Sequence, residues 1–323
     1  MKPRLLVLEL WGLGDLVIAT PFLRAATEKY AVTLLAKPYA AELRPRLWPE
    51  VEVMPFTAPW TAFQGKYALW RWPWPEMLRL RRQLRAKKFD HAVSARWDPR
   101  NDFLMKTVGA HARLGFARLN SRRYLTQELT RPDPLAHRYE YWRGAGAALG
   151  LALPARAELF VTSAPRPATV LIHTGARLPL RVWPLENFAE LVARLRVGGI
   201  PVEVACDADQ LDWWRDRGEA AVCPRSVTTL LAGLDRAGVF IGNDSGPGHL
   251  AAACGRPTFT LFGPQLHEWF APLHPASEVF EGRACPYKPC SDYCRFAEPF
   301  CLRGISVADV WPRVEDFVKR NLE

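Results

Sequence analysis

The sixteen residues from Val239 to Cys254 constrain this chain more than any other stretch. Three β-formers, Val239, Phe240 and Ile241, run into Gly242-Asn243, a pair that can turn sharply. Asp244, Ser245 and Gly246 then lead into an Ala-rich helix. A strand that passes through a glycine turn into a helix is a unit of parallel α/β architecture. The start of such a helix offers free backbone N–H groups and the positive end of the helix dipole, which suits a phosphate or diphosphate. Gly246 and Gly248 let an anion approach the backbone closely. Asp244 and Ser245 are also ordinary N-cap residues, and a capped helix with no ligand would carry the same letters.

The N-terminus opens in the same way. Residues 4–10 form a buried-strand pattern ending in Trp11-Gly12-Leu13-Gly14-Asp15, and residues 16–30 read as a helix bent by Pro21 or beginning near it. Val17 occupies the place of the third glycine in a dinucleotide fingerprint, and no Gly-Lys-Ser/Thr follows, so neither a nicotinamide site nor a P-loop is indicated. Asp15, just past the strand and beside two glycines, fits a general base as well as a helix cap. Further strands are expected at 31–36, 51–54 and 89–95, with a short helix at 39–47. Residues 70–88 form a basic amphipathic helix entered by three tryptophans, with Leu78, Leu80 and Leu84 as its apolar stripe. Trp beside Arg suits an anionic membrane surface, and a solvated crossover helix has the same composition. Arg96, Asp98, Arg100 and Asp102 crowd the C-terminal end of strand 89–95, where α/β proteins bind ligands. Arg113, Arg118, Arg122, Arg123 and Arg131 follow, and they suit a phosphorylated acceptor.

A chain of 323 residues exceeds what one core usually supports, so two domains are expected. Residues 151–167, rich in Pro and small side chains, read as the hinge. A second α/β series starts with strand 169–173 and the loop Thr174-Gly175-Ala176-Arg177, followed by Arg181, Trp183-Pro184 and a helix at 185–195. Arg177 and Arg181 are placed to clamp phosphate oxygens. Strands at 199–205 and 257–262, helices at 209–217 and 228–233, and a C-terminal helix at 305–322 complete the pattern. The net charge of +10 points to anionic partners such as nucleotides or phosphorylated glycans. No run reaches the ~18 apolar residues of a membrane span, and the N-terminal apolar run is too short for a signal peptide, so a cytoplasmic chain is expected.

Taken together these residues resemble glycosyltransferase family 9, whose best-known members are the lipopolysaccharide heptosyltransferases. The resemblance rests on Gly14-Asp15 with Ala19-Thr20-Pro21, and on His173-Thr174-Gly175-Ala176 before Arg181-Val182-Trp183-Pro184. It continues in Gly242-Asn243-Asp244-Ser245-Gly246-Pro247-Gly248-His249, in Leu261-Phe262-Gly263-Pro264 and in the C-terminal cysteines. It implies a GT-B fold, α/β, with two Rossmann-like parallel-sheet domains facing a central cleft. Residues 1–155 would bind acceptor and residues 168–304 nucleotide sugar, with a C-terminal helix at 305–323 packing back on the N-terminal domain. The implied activity is inverting transfer of a heptose or related sugar from an ADP-activated donor to a lipid-linked acceptor of the lipopolysaccharide core type. No cofactor or metal would be needed and no nucleic acid bound, and an anionic inner membrane face is the expected site of peripheral attachment.

By the same resemblance Asp15 would be the general base, and Gly14, Arg96, Asp98 and Arg100 would bind acceptor. Gly175, Arg177, Arg181, Asp244, Ser245, Gly246, Gly248 and His249 would bind donor. Arg181 stands where the family usually has Lys. Cys206-Asp207-Ala208-Asp209 replaces a Gly-rich turn and its acidic ribose ligand, so Asp207 or Asp209 would take that role. Another nucleotide sugar, or a non-catalytic glycan- or nucleotide-binding protein, fits the same residues. The gaps between Cys285, Cys290, Cys294 and Cys301 match a zinc site poorly, and a local structural role is expected, by packing or a disulfide. Cys206, Cys223 and Cys254 read as small buried hydrophobes.

Overall fold

Leu5, Leu6, Val7 and Leu8 have no solvent exposure, as expected of a strand covered on both faces. Such strands organise the whole chain, of which the computed structural model describes residues 1–62, 65–160, 167–290 and 293–322. Of the expected hinge, residues 161–166 lie outside the described residues. Two units divide between Pro154 and Ala155.

In the first unit the strands are β1 (Arg4–Glu9), β2 (Ala31–Ala36), β3 (Glu52–Pro55), β4 (His91–Ser94), β5 (Ala112–Gly115) and β6 (Gln127–Glu128). They lie in the order β3-β2-β1-β4-β5-β6 and every pairing is parallel. The chain builds outward from β1 in one direction, then returns to its other side to add β4. The C-terminal ends of β1 and β4 are therefore the topological switch point, where connecting segments leave toward opposite faces. The expected helix at 16–30 is two helices, Leu13–Ile18 and Thr20–Lys29, the second having Pro21 in its first turn. The basic helix runs from Trp74 to Ala86 and buries Leu80 and Leu84, with Met77 packed against the same core. Leu78 is 50% exposed and does not belong to that stripe. Residues two apart sit about 200° around a helix, so Leu78 and Leu80 face different ways.

In the second unit β7 (Val170–His173), β8 (Val202–Ala205), β9 (Val239–Asn243), β10 (Thr258–Phe262) and β11 (Glu278–Glu281) form a parallel sheet in the order β11-β10-β9-β7-β8. Its switch point lies between β7 and β9, where His173 is in register with Gly242. A Cβ at position 242 would come within 2.7 Å of the His173 carbonyl oxygen, so only glycine fits there. The C-terminal helix, Val307–Leu322, was expected on the N-terminal domain. Its buried residues Val310, Val314, Phe317 and Val318 instead belong to the second unit's core, with Ile172, Trp183 and Phe259.

Phe317 is wholly buried, its ring centroid 5.5 Å from that of Phe259. Phe317→Ala should cost the second unit about 3–5 kcal/mol in a denaturant titration. A loss below about 1 kcal/mol would mean that the helix is not part of that core.

Candidate active site

The two switch points collect most of the residues singled out in the sequence. In the first unit, Leu10 through Gly12 carry the chain from β1 into the Leu13–Ile18 helix. Asp15 lies in the first turn, and its Oδ2 accepts the Gly12 N–H at 3.2 Å. Its other oxygen, Oδ1, forms an ion pair with the Arg96 guanidinium, which arrives from the end of β4. Cap and exposed carboxylate are thus two oxygens of one side chain, about a fifth of which remains accessible. Arg96 also lies over the Trp11 ring, 5.2 Å from its centroid, a cation–π contact that steadies the guanidinium.

Asp98 and Arg100 engage each other. Asp98 caps the Pro99–Thr107 helix, accepting the Arg100 N–H at 3.0 Å and both Nε and Nη2 of that arginine, at 2.8 and 2.7 Å. Asp102 is fully buried, and burial pushes its carboxyl up to about 7. Arg113 is tied to the carbonyls of Tyr124 and Ala110, each at 2.7 Å, and Arg122 to Glu128 at 3.1 Å, so these two knit their own loop. Arg138 was not foreseen. It lies over the Trp97 ring at 4.4 Å, and burial together with the nearby Arg96 lowers its guanidinium to about 10.

Glu9, at the last position of β1, was also missed. It is 3% exposed, and its Oε1 accepts the Trp11 N–H at 3.2 Å. Burial drives its carboxyl up to about 7 against the pull of Arg96, and the negative charge of Asp15 adds to the rise. One acidic residue in the otherwise apolar run of residues 5–10 is the signal that could have found it.

In the second unit Asn243 holds the switch point together. Its Oδ1 accepts the Trp183 N–H at 3.0 Å, and its Nδ2 donates to the Thr174 carbonyl at 2.9 Å. These bonds fix the loop after β7 against the turn after β9. Arg181 Nη1 donates to Asp244 Oδ2 at 3.1 Å, and Asp244 is 5% exposed. Ser245 sits at the N-cap of the Gly246–Ala253 helix but makes no side-chain cap bond. Its Oγ is buried without a hydrogen-bond partner among the described residues, as is Arg181 Nε. The capping reading of Ser245 is therefore not realised. Gly248 and His249 are buried in the helix's first turns. His173, in register at the end of β7, is held below the usual imidazole range by burial, opposed by the Asp207 charge.

Between the segments that follow β7 and β8 lies a cavity of about 460 Å³ lined by Arg177, Trp183, Glu186, Asp207, Asp209 and Trp213, among others, within the size range of small-molecule sites. The Asp207 carboxylate covers Gly175, where a Cβ would lie 2.3 Å from its carboxyl carbon. Gly175 is thus needed for room against Asp207. All seven cysteines are free thiols, so the disulfide expected as one option for the C-terminal group is not formed. Burial pushes the Cys301 thiol up to about 11, and Cys290 is raised for the same reason. Among the described residues no group of three or more His, Cys, Asp or Glu is arranged to hold a metal ion. Gln265 Nε2 donates to the Cys290 carbonyl at 2.6 Å and the Cys290 N–H to that of Pro264 at 2.8 Å, which ties the cysteine loop to the turn after β10.

Comparison with known proteins agrees with this architecture. The chain is 32% identical over 113 residues to lipopolysaccharide heptosyltransferase 3 of Escherichia coli K12, covering 32% of this chain and 33% of that protein. It is 29% identical over 241 residues to lipopolysaccharide heptosyltransferase 1 of Pseudomonas aeruginosa, covering 67% and 65%. The matched stretch therefore spans less than two thirds of either relative. Among solved structures, E. coli heptosyltransferase WaaC with ADP superimposes with a TM-score of 0.76 at 18% identity, covering 97% of this chain and 99% of that one. The fold is accordingly GT-B, with two parallel-sheet α/β domains. The family model described as glycosyltransferase family 9 (heptosyltransferase) matches residues 77–299, well over half of the sequence, and the chain belongs to that family.

Proposed function

We propose that the protein is an inverting glycosyltransferase that moves a heptose from an ADP-activated donor to a lipid-linked acceptor of the lipopolysaccharide core type. The observation that carries this reading is the start of the Gly246–Ala253 helix. Ser245 occupies its N-cap without capping it, and the Arg181 guanidinium stands beside it on Asp244. When the bond to the sugar breaks, negative charge accumulates on the departing diphosphate. N–H donors, a hydroxyl and a guanidinium already in place lower the energy of that state more than they stabilise the intact donor. Arg181 in place of the family's usual Lys offers two parallel donors where an ammonium offers a point charge.

The nucleoside end of the donor fits the cavity beside Asp207, Asp209 and Trp213. The two carboxylates accept from ribose hydroxyls and the indole gives a base an aromatic face. The relative solved with ADP supports the choice of adenine nucleotide. Asp15 takes the proton from the acceptor hydroxyl, and Arg96 sits close enough to meet an anionic group on that acceptor. A membrane-borne acceptor accords with the exposed side chains of Tyr67, Leu69, Trp70 and Trp74, which lead into the Arg-rich Trp74–Ala86 helix. No helix among the described residues is long and apolar enough to cross a membrane, so contact through this patch would be interfacial.

Asp15→Asn should lower turnover by about a hundredfold or more, with donor affinity within a few fold, because the base acts only in the chemical step. Undiminished turnover would remove Asp15 as the base and assign that role to another residue. ADP should raise the melting temperature of the wild type, and Arg181→Ala should weaken ADP binding by roughly 10–100-fold, the worth of one or two charge-assisted hydrogen bonds. Unchanged ADP affinity in that variant would move the diphosphate away from this helix. Vesicles containing phosphatidylglycerol should sediment the wild-type protein at low salt. A Trp70→Ala/Trp74→Ala double variant should stay in the supernatant with its turnover of soluble acceptor analogues intact, and equal sedimentation would sink the membrane assignment.

A further inference from the structure

The cavity in the second unit has one wall that the segments after β7 and β8 do not supply. Arg303, the last residue of the short Phe300–Arg303 helix, lines it. Two anchors hold the backbone on either side of that residue. Leu302 is fully buried and pressed onto the turn after β10, where a Cβ at Gly263 would lie 2.7 Å from the Leu302 Cβ. The Ile305 carbonyl accepts the Trp183 indole N–H at 2.8 Å and Nδ2 of Asn187 at 3.1 Å, and Trp183 lines the same cavity. The Arg303 side chain itself donates from Nη1 to Glu298 Oε1 at 3.2 Å, in a pair whose side chains are 46% and 68% exposed. Water screens such a pair and it holds weakly, so an anion of higher charge can take the guanidinium over.

We propose that Arg303 is a further donor-binding residue, whose guanidinium takes a phosphate oxygen of the nucleotide as a second cation for the diphosphate besides Arg181. The inference rests on the nucleotide reading given above and deepens it. Its direction follows from the strand order. In the sheet β9 and β7 stand between β10 and β8, so the ends of β8 and β10 are three strand spacings apart, about 14 Å. Asp207 and Asp209 follow β8, the Gly246–Ala253 helix follows β9, and Leu302 seats Arg303 on the turn after β10. A nucleoside held by the two carboxylates, with its phosphates at the helix after β9, therefore runs toward Arg303. Carboxylates at one end of a cavity and a guanidinium at the other suit a ligand with a hydroxyl-bearing end and an anionic end. The Arg fork can meet two oxygens of one phosphate group, and a diphosphate carries more charge than the Glu298 carboxylate it displaces.

The test is calorimetric titration of ADP and of adenosine into the wild type and into Arg303→Ala, Arg303→Lys, Arg303→Glu and Glu298→Gln. ADP affinity should fall about tenfold in Arg303→Ala, the loss of one charge-assisted hydrogen bond. It should fall further in Arg303→Glu, which sets a like charge against the phosphates. Arg303→Lys should stand between the wild type and Arg303→Ala, because it keeps the charge and loses the fork. Adenosine, with the same nucleoside and no phosphate, should bind every variant alike. Glu298→Gln breaks the resting pair and leaves the guanidinium in place, so its ADP affinity should equal or exceed that of the wild type. Wild-type ADP affinity in Arg303→Ala overturns the assignment. A loss shared equally by adenosine overturns it too, since the residue would then serve the base or the shape of the wall. An equal loss in Glu298→Gln does the same, by making the pair a structural brace. A wild-type protein that binds neither ligand removes the nucleotide reading, and Arg303 with it, whereas tight ADP binding indifferent to all three Arg303 variants removes Arg303 alone.

Discussion

Each sheet of this protein reverses its direction of growth at one strand pair, β1–β4 in the first unit and β7–β9 in the second. At such a pair the outgoing segments part toward opposite faces and leave the strand ends uncovered by either layer of helices. Backbone N–H groups, glycine turns and polar side chains can then sit at the end of a dry sheet without being buried beneath it. Asp15 and Arg96 flank the first reversal, and Arg181, Asn243, Asp244 and Ser245 flank the second. The flanking strands are almost wholly apolar because both faces are covered, so polar chemistry is confined to their C-terminal ends.

The charges at these places are pairs, and the reason is energetic. An isolated carboxylate or guanidinium taken out of water costs several kcal/mol, which a well-placed partner returns only in part. Arg96 with Asp15 and Arg181 with Asp244 are therefore poor devices for stability compared with an apolar pair of the same volume. On the proposed function their value lies in being ready: the donors are held in place before a substrate arrives, so little reorganisation is left for the chemical step. In the second unit the neutral bonds of Asn243 do the complementary work, holding two loops in register with no charge to desolvate.

Much of this was legible in the letters. The strands at 4–10, 31–36, 239–243 and 257–262 announced themselves as apolar runs, and glycine turns after two of them marked the switch points of the two sheets. Short elements escaped, such as β5, β6 and β11, because two to four residues carry no periodicity. Leu78 was assigned to the buried stripe by composition when Met77 has the right angular position. Asp15 could be read as a cap or as a base; one of its oxygens accepts the Gly12 N–H, as the cap reading expects, and the other is paired with Arg96.

What the sequence determined by itself is the kind of architecture and the identity of the groups available: two α/β series, two glycine turns, an excess of arginine. The tertiary structure decided which of those groups meet. Nothing in the local pattern says that Asp15 receives Arg96, that Asp207 closes over Gly175, or that the last helix completes the second core. The physical reason is that local preference is set by neighbours a few bonds away. Charge pairing and burial are set by distances in space, and in a parallel sheet adjacent strands are joined only through long crossovers.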